Sequence, residues 1–99
     1  MIVDMAKMRV NAREAVTLLK ALSNENRLLI LCQLAEGEAS VGELNHRVDL
    51  SQSALSQHLA VLRRDGLVAT RRESQTIYYR LANPKVSSMI EYLHSQFCQ

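Results

Sequence analysis

Ninety-nine residues, 47% of them hydrophobic and 22% charged, with three glycines and one proline, describe one globular, mostly helical domain and exclude disordered or collagen-like chains. The formal net charge of +2 is too small to name a partner, and the longest apolar runs fall far short of the roughly 20 residues that a membrane span requires. Three tyrosines, one phenylalanine and no tryptophan leave aliphatic side chains to build the core, and a core that small favours a homo-oligomer.

The opening stretch MIVDMAKMRV mixes charge with apolar residues and reads as a frayed arm over residues 1–10. It lacks the basic, apolar, small-residue order of a secretion signal, so the chain is expected in the cytoplasm, where its two cysteines begin as thiols. Over residues 11–22, Ala12, Val16, Leu19 and Leu22 recur at helical spacing before Ser23 and Asn24 interrupt. Asn24 caps a second helix through Leu28, Leu31, Cys32 and Ala35, which stops at Gly37. Ser40 and Glu43 have the spacing of a capping box and open a short third helix carrying Val41, Leu44 and Val48, ending near Asp49 and Leu50.

Ser51 caps the fourth helix, whose inward stripe is Ala54, Leu55, Leu59 and Leu62, with Gly66 closing it. Gln52, Ser53, Ser56, Gln57, Arg63 and Arg64 are left facing outward. Residues 67–72 and 75–81 are rich in β-formers and predict a hairpin, in which Tyr78 and Tyr79 face opposite sides. Asn83 and Pro84 then start a terminal amphipathic helix with Val86, Met89, Ile90, Leu93 and Phe97 on its apolar side.

Helix, short turn, helix with a polar outer face, then a hairpin is the order of a winged helix-turn-helix: mainly α, with a small β-hairpin wing. The charge agrees with a DNA partner. Residues 1–45 carry five Lys/Arg against six Asp/Glu, whereas residues 46–80 carry six arginines, at 47, 63, 64, 71, 72 and 80, against Asp49, Asp65 and Glu73. Short polar side chains at Gln52, Ser53, Ser56 and Gln57 would let the fourth helix approach base edges in a major groove. His58 would contact DNA or hold the helix, Arg71, Arg72 and Arg80 on or beside the hairpin would meet phosphates or the minor groove, and Arg63 and Gln75 complete the DNA-binding set.

The stretch SVGELNHRVDLSQSALSQHLAVLRRDGLV resembles the DNA-binding core of the ArsR/SmtB family of bacterial winged-helix regulators, at Val41, Glu43, Leu44, Leu50, Ser51, Ser53, Ser56, His58, Leu59, Leu62, Arg63, Gly66 and Leu67. The likeness runs from LLKALSNENRLLIL through the wing to the last helix. It implies a homodimer, paired through its first and last helices, that binds an imperfect inverted repeat in double-stranded promoter DNA, by default as a repressor, and answers a small inducer.

Many family members hold a thiophilic metal through two cysteines in helix three, but here Ser40 and Gly42 occupy those places and supply no thiolate. Only Glu91, His94 and Cys98 could serve on the last helix, so no resident metal or cofactor is expected and a metal-responsive repressor is the alternative reading. Cys32 within RLLILCQL and Cys98 within LHSQFCQ resemble the HlyU/BigR-like thiol-switch subgroup. That resemblance implies that Cys32 and Cys98 join through a disulfide or polysulfide bridge when reactive sulfur species or oxidants accumulate, and that DNA is then released. A ligand-independent antirepressor competing with a nucleoid protein would carry the same DNA-reading residues. An enzyme is not expected, because the chain has no glycine-rich phosphate loop, paired catalytic carboxylates or oxyanion site.

Overall fold

The computed structural model describes residues 1–98 and consists of α1 (Met5–Leu22), α2 (Glu25–Ala35), β1 (Ala39–Ser40), α3 (Val41–Arg47), α4 (Gln52–Arg64), β2 (Val68–Glu73), β3 (Thr76–Leu81) and α5 (Pro84–Phe97). It is a winged helix-turn-helix, mainly α with one antiparallel sheet. Each helix predicted from α2 onward starts at its expected cap. Asn24 accepts from the Arg27 amide at 3.1 Å, Ser51 from Ala54 at 3.2 Å and Asn83 from Val86 at 3.0 Å. At Ser40 both halves of the capping box form, with its hydroxyl accepting from the Glu43 amide at 3.1 Å and Glu43 accepting from the Ser40 amide at 2.9 Å.

Two features depart from the sequence expectation. The first helix begins at Met5 rather than at residue 11, so the expected ten-residue arm shrinks to the first four positions. Asp4 accepts from the Lys7 amide at 3.1 Å, and the good helix formers Met5, Ala6, Lys7 and Met8 follow it. Periodicity missed this turn because it buries nothing: every side chain from Met1 to Glu14 is exposed. The second departure is β1, a two-residue strand that turns the hairpin into a three-stranded sheet of order β1-β3-β2. Its register, Ala39 opposite Tyr79 and Ser40 opposite Tyr78, is a tertiary pairing, and two residues are too few to show an alternating pattern.

The core gathers Ile30 and Leu31 of α2, Leu44 of α3, Leu55, Leu59 and Leu62 of α4 and Val86 of α5, all completely buried. The α1–α2 corner is locked by Arg27, which donates from Nε to the Ala21 carbonyl at 2.9 Å and from a terminal nitrogen to that of Lys20 at 3.1 Å. Asn83 has a second task, donating to the Gly66 carbonyl at 3.2 Å and so tying the start of α5 to the corner that ends α4. β2 and β3 pair from Val68–Leu81 to Glu73–Thr76 around the two-residue turn Ser74–Gln75, in which Ser74 takes a φ of 60°. Among the described residues no helix is long and apolar enough to cross a membrane.

Candidate nucleic-acid interface and thiol recess

The angle between α3 and α4 is set by their three-part joint. Val48 ends α3, the Leu50 amide donates to the Val48 carbonyl at 3.1 Å, and Asn45 reaches forward to donate to the Leu50 carbonyl at 2.8 Å. With Ser51 capping the next turn, α4 leaves the joint with Leu55, Leu59 and Leu62 buried. One face of α4 therefore carries Gln52, Ser53, Ser56, Gln57, Arg63 and Arg64, all exposed, with His58 half-buried at its edge. Asn45 was not singled out from the sequence, although an Asn three positions before the end of a short helix is a recognisable turn former.

The wing puts its arginines on different faces. Residues two apart on a strand share a face, and Thr70 and Arg72 stand opposite Tyr79 and Ile77, so Arg72 lies on the side of the sheet that carries Tyr79. Tyr79 borders a shallow recess with Ser56, Ala60, Arg63 and Arg64 of α4, which makes this the α4 side of the sheet. Arg71 lies on the opposite face with its cross-strand partner Tyr78. There it donates from Nε to both carboxylate oxygens of Glu38, at 2.8 and 2.9 Å, and from a terminal nitrogen to Glu73 at 2.8 Å, with its guanidinium carbon 4.5 Å from the Tyr78 ring centre. The two carboxylates hold the Arg71 pKa above its ordinary value. Gln75 is exposed in the turn at the tip. Thus Gln52, Ser56, Gln57, Arg63, Arg72 and Gln75 are exposed on the outside of the helix-turn-helix and wing, Ser53 is exposed beside them with its hydroxyl 3.3 Å from that of Ser51, and Arg71 is engaged.

The two cysteines border a separate recess. Cys32 is half-buried in α2 and Cys98, at the C-cap of α5, is exposed; both are free thiols. They line one recess of about 570 Å³ between α2 and α5, walled by Leu28, Ile90, Leu93 and Phe97 with His94 beside them. Burial pushes the Cys32 thiol above its ordinary pKa, and ionisation of Cys98 pushes it further. Glu91, His94 and Cys98 all border this recess, yet among the described residues no three His, Cys, Asp or Glu side chains converge as a metal site. Ser40, at one of the metal-cysteine places, is occupied as the cap of α3.

The sequence pattern described as "Bacterial regulatory protein, arsR family" matches residues 24–70, from the cap of α2 into β2. The transcriptional activator HlyU of Vibrio cholerae serotype O1 is 58% identical over 96 residues, which cover 97% of this chain and 89% of that protein. The chain belongs to the ArsR family. As a member of that family it is a DNA-binding transcriptional regulator and not an enzyme. Among ArsR-family structures, the transcriptional repressor BigR from Xylella fastidiosa superposes with a TM-score of 0.90 at 42% identity, covering 98% of this chain and 99% of that one. Reduced HlyU from Vibrio cholerae N16961 gives a TM-score of 0.88 at 60% identity over 94% of this chain and 98% of that one. These likenesses agree with the HlyU/BigR-like subgroup within the ArsR family.

Proposed function

We propose that two copies of this chain pair through α1 and α5, bind an inverted repeat in cytoplasmic, nucleoid-associated promoter DNA, and release it when Cys32 and Cys98 become bridged. The observation that carries the reading is the shared recess: two thiols far apart in the sequence, one in α2 and one at the end of α5, line one apolar pocket between those helices. A V. cholerae relative 60% identical in sequence is reduced HlyU, in keeping with a redox role for this chain.

The chemistry runs in two steps. The exposed Cys98 thiolate takes the outer sulfur of a persulfide and expels the parent thiolate. Cys32, deprotonated as it attacks, then displaces hydrosulfide from Cys98 to leave a disulfide; where a second persulfide has first given its outer sulfur to Cys32 and left as the parent thiolate, that Cys32 persulfide displaces hydrosulfide from Cys98 and leaves a trisulfide. With a peroxide, Cys98 becomes a sulfenic acid and Cys32 displaces water. Either bridge fastens α2 to the end of α5 and shifts the layer that spaces the two recognition helices, which must fall roughly 34 Å apart to enter successive major grooves.

On the DNA side, Gln52, Ser53, Ser56 and Gln57 read base edges, His58 supports them from the flank, and Arg63, Arg72 and Gln75 meet the backbone or minor groove. The pairing of copies is supported by apolar side chains left in water on the outer helices: Leu19 of α1 is 53% exposed, and Tyr92 and Phe97 of α5 are 60% and 81% exposed. An activator and a repressor both stand among the relatives, and DNA binding with release on bridging serves either sign of regulation.

The test pairs the intact mass of protein treated with organic persulfide or peroxide with its affinity for promoter DNA. The expected result is added sulfur, or loss of two hydrogens within one chain, together with a 5- to 150-fold weaker complex, the usual range of about 1 to 3 kcal/mol for allosteric coupling. Cys32→Ser should bind DNA as the parent does and ignore the inducer. A Cys32→Ser protein that still releases DNA on treatment overturns the two-thiol reading.

A further inference from the structure

The wing's neighbouring arginines differ in what holds them. Among the described residues Arg72 makes no ion pair, whereas Arg71 is bound by two carboxylates and an aromatic ring. We propose that Arg71 is a positioning residue of the wing rather than a phosphate contact: it is the buckle of a strap that crosses the sheet and fastens β2 to the segment joining α2 to β1.

Three observations carry this. The first is placement. Arg71 stands on the sheet face opposite Tyr79 and the recognition helix, so its side chain leaves the sheet on the side away from α4. The second is occupancy. Its Nε and both terminal nitrogens donate to Glu38 and Glu73, and the face of the guanidinium lies against Tyr78. A phosphate would have to displace a carboxylate from a cluster that holds two negative groups and one positive group, and those carboxylates would repel it.

The third is the path of the strap. Glu38 immediately precedes β1, whose Ser40 pairs with Tyr78 of β3, and Tyr78 in turn stands opposite Arg71 of β2. The guanidinium therefore reaches over β3 and links the first and last strands of the sheet. β1 pairs only with Tyr78 and Tyr79, so the outer rungs of the hairpin, Arg72–Ile77 and Glu73–Thr76, project beyond the third strand. A lateral tie at Arg71 sits at the base of that projection, where it sets the direction of the tip that carries Arg72 and Gln75. Lysine would keep the charge but lose the planar fork that grips Glu38 with two nitrogens and stacks on Tyr78.

The proposal rests on the reading that the wing tip meets DNA, and the test separates the two. Affinity for a random-sequence duplex is measured by anisotropy across a salt series for Arg71→Lys, for Glu38→Gln and for Arg72→Ala, with the fold of each checked by circular dichroism. Arg71→Lys is expected to bind about fivefold more weakly with an unchanged salt slope, the scale of one good bidentate pair. Glu38→Gln, which frees Arg71 from its bidentate partner and also removes a negative charge that would repel DNA, is expected to bind about as weakly as Arg71→Lys, whereas an Arg71 that met phosphate would bind more tightly once released. Arg72→Ala is expected to flatten the slope by about 0.9, one phosphate contact.

Arg71→Lys that binds like the parent, or Glu38→Gln that binds as tightly as the parent or more so, overturns the strap. An Arg72→Ala slope equal to the parental one overturns the wing reading beneath it, and the strap with it.

Discussion

The DNA-reading half and the outer helical layer of this chain are built to different standards of completeness. α4 hides Leu55, Leu59 and Leu62 entirely and leaves only polar and small side chains outward, whereas the longer α1 buries Ala21 alone. The helix-turn-helix is finished by its own chain: its joint is hydrogen-bonded through Asn45, its caps are filled, and among the described residues no buried side-chain nitrogen or oxygen lacks a partner. The outer layer keeps Val16, Leu19, Tyr92 and Phe97 in water. In a domain this small, that uncovered surface is what the proposed pairing of two copies would bury.

The sharpest way to break the comparison is to damage each half in turn. Leu59→Ala removes a completely buried side chain from the reading head and should cost about 2 to 5 kcal/mol in urea unfolding, without changing the oligomeric state of the folded fraction. Tyr92→Asp places a charge on the exposed face of α5 and should cost about 2 kcal/mol or more of assembly. Sedimentation should show a shift toward monomer, and the melting temperature of the parent, but not of the variant, should rise with protein concentration. A Tyr92→Asp protein that sediments like the parent would mean that this face is not where copies meet.

The same contrast explains what the sequence disclosed. Ser40 with Glu43, Asn24, Ser51, and Asn83 before Pro84 are local devices: each residue needed for the cap lies within three positions of its partner, and every one forms as expected. The inward leucines of α4 were legible because burial imposes a helical period. Where nothing is buried there is no period, which is why the first turn of α1 escaped notice. Long-range pairings left no trace either. β1 exists because Ala39 and Ser40 lie beside Tyr79 and Tyr78, and Glu38 finds Arg71 across 33 positions with only its charge as a hint. For the same reason Arg71 and Arg72, adjacent and identical in type, were indistinguishable until the strand register separated their faces.

The smallest effect lies where the halves meet, at the thiol recess. Cys32 belongs to the buried side and Cys98 to the exposed side, so an alkylating reagent should label Cys98 first and Cys32 later, as read by peptide mass. Burial penalises the Cys32 thiolate, and an ionised Cys98 penalises it again, so the folded chain holds the Cys32 proton more tightly than the unfolded chain does. The sign follows from that. Folding is favoured by this group in full below the ordinary thiol range, and the contribution is lost as pH rises through the raised Cys32 value, because the unfolded thiol ionises first. Labelling of Cys32 should accelerate only above the ordinary thiol range, and replacing Cys98 with serine should move that acceleration to lower pH by removing the neighbouring negative charge. If Cys98→Ser leaves the Cys32 profile where it was, the two thiols do not sense each other across the recess. A bridge between them would then require α2 and α5 to move together first.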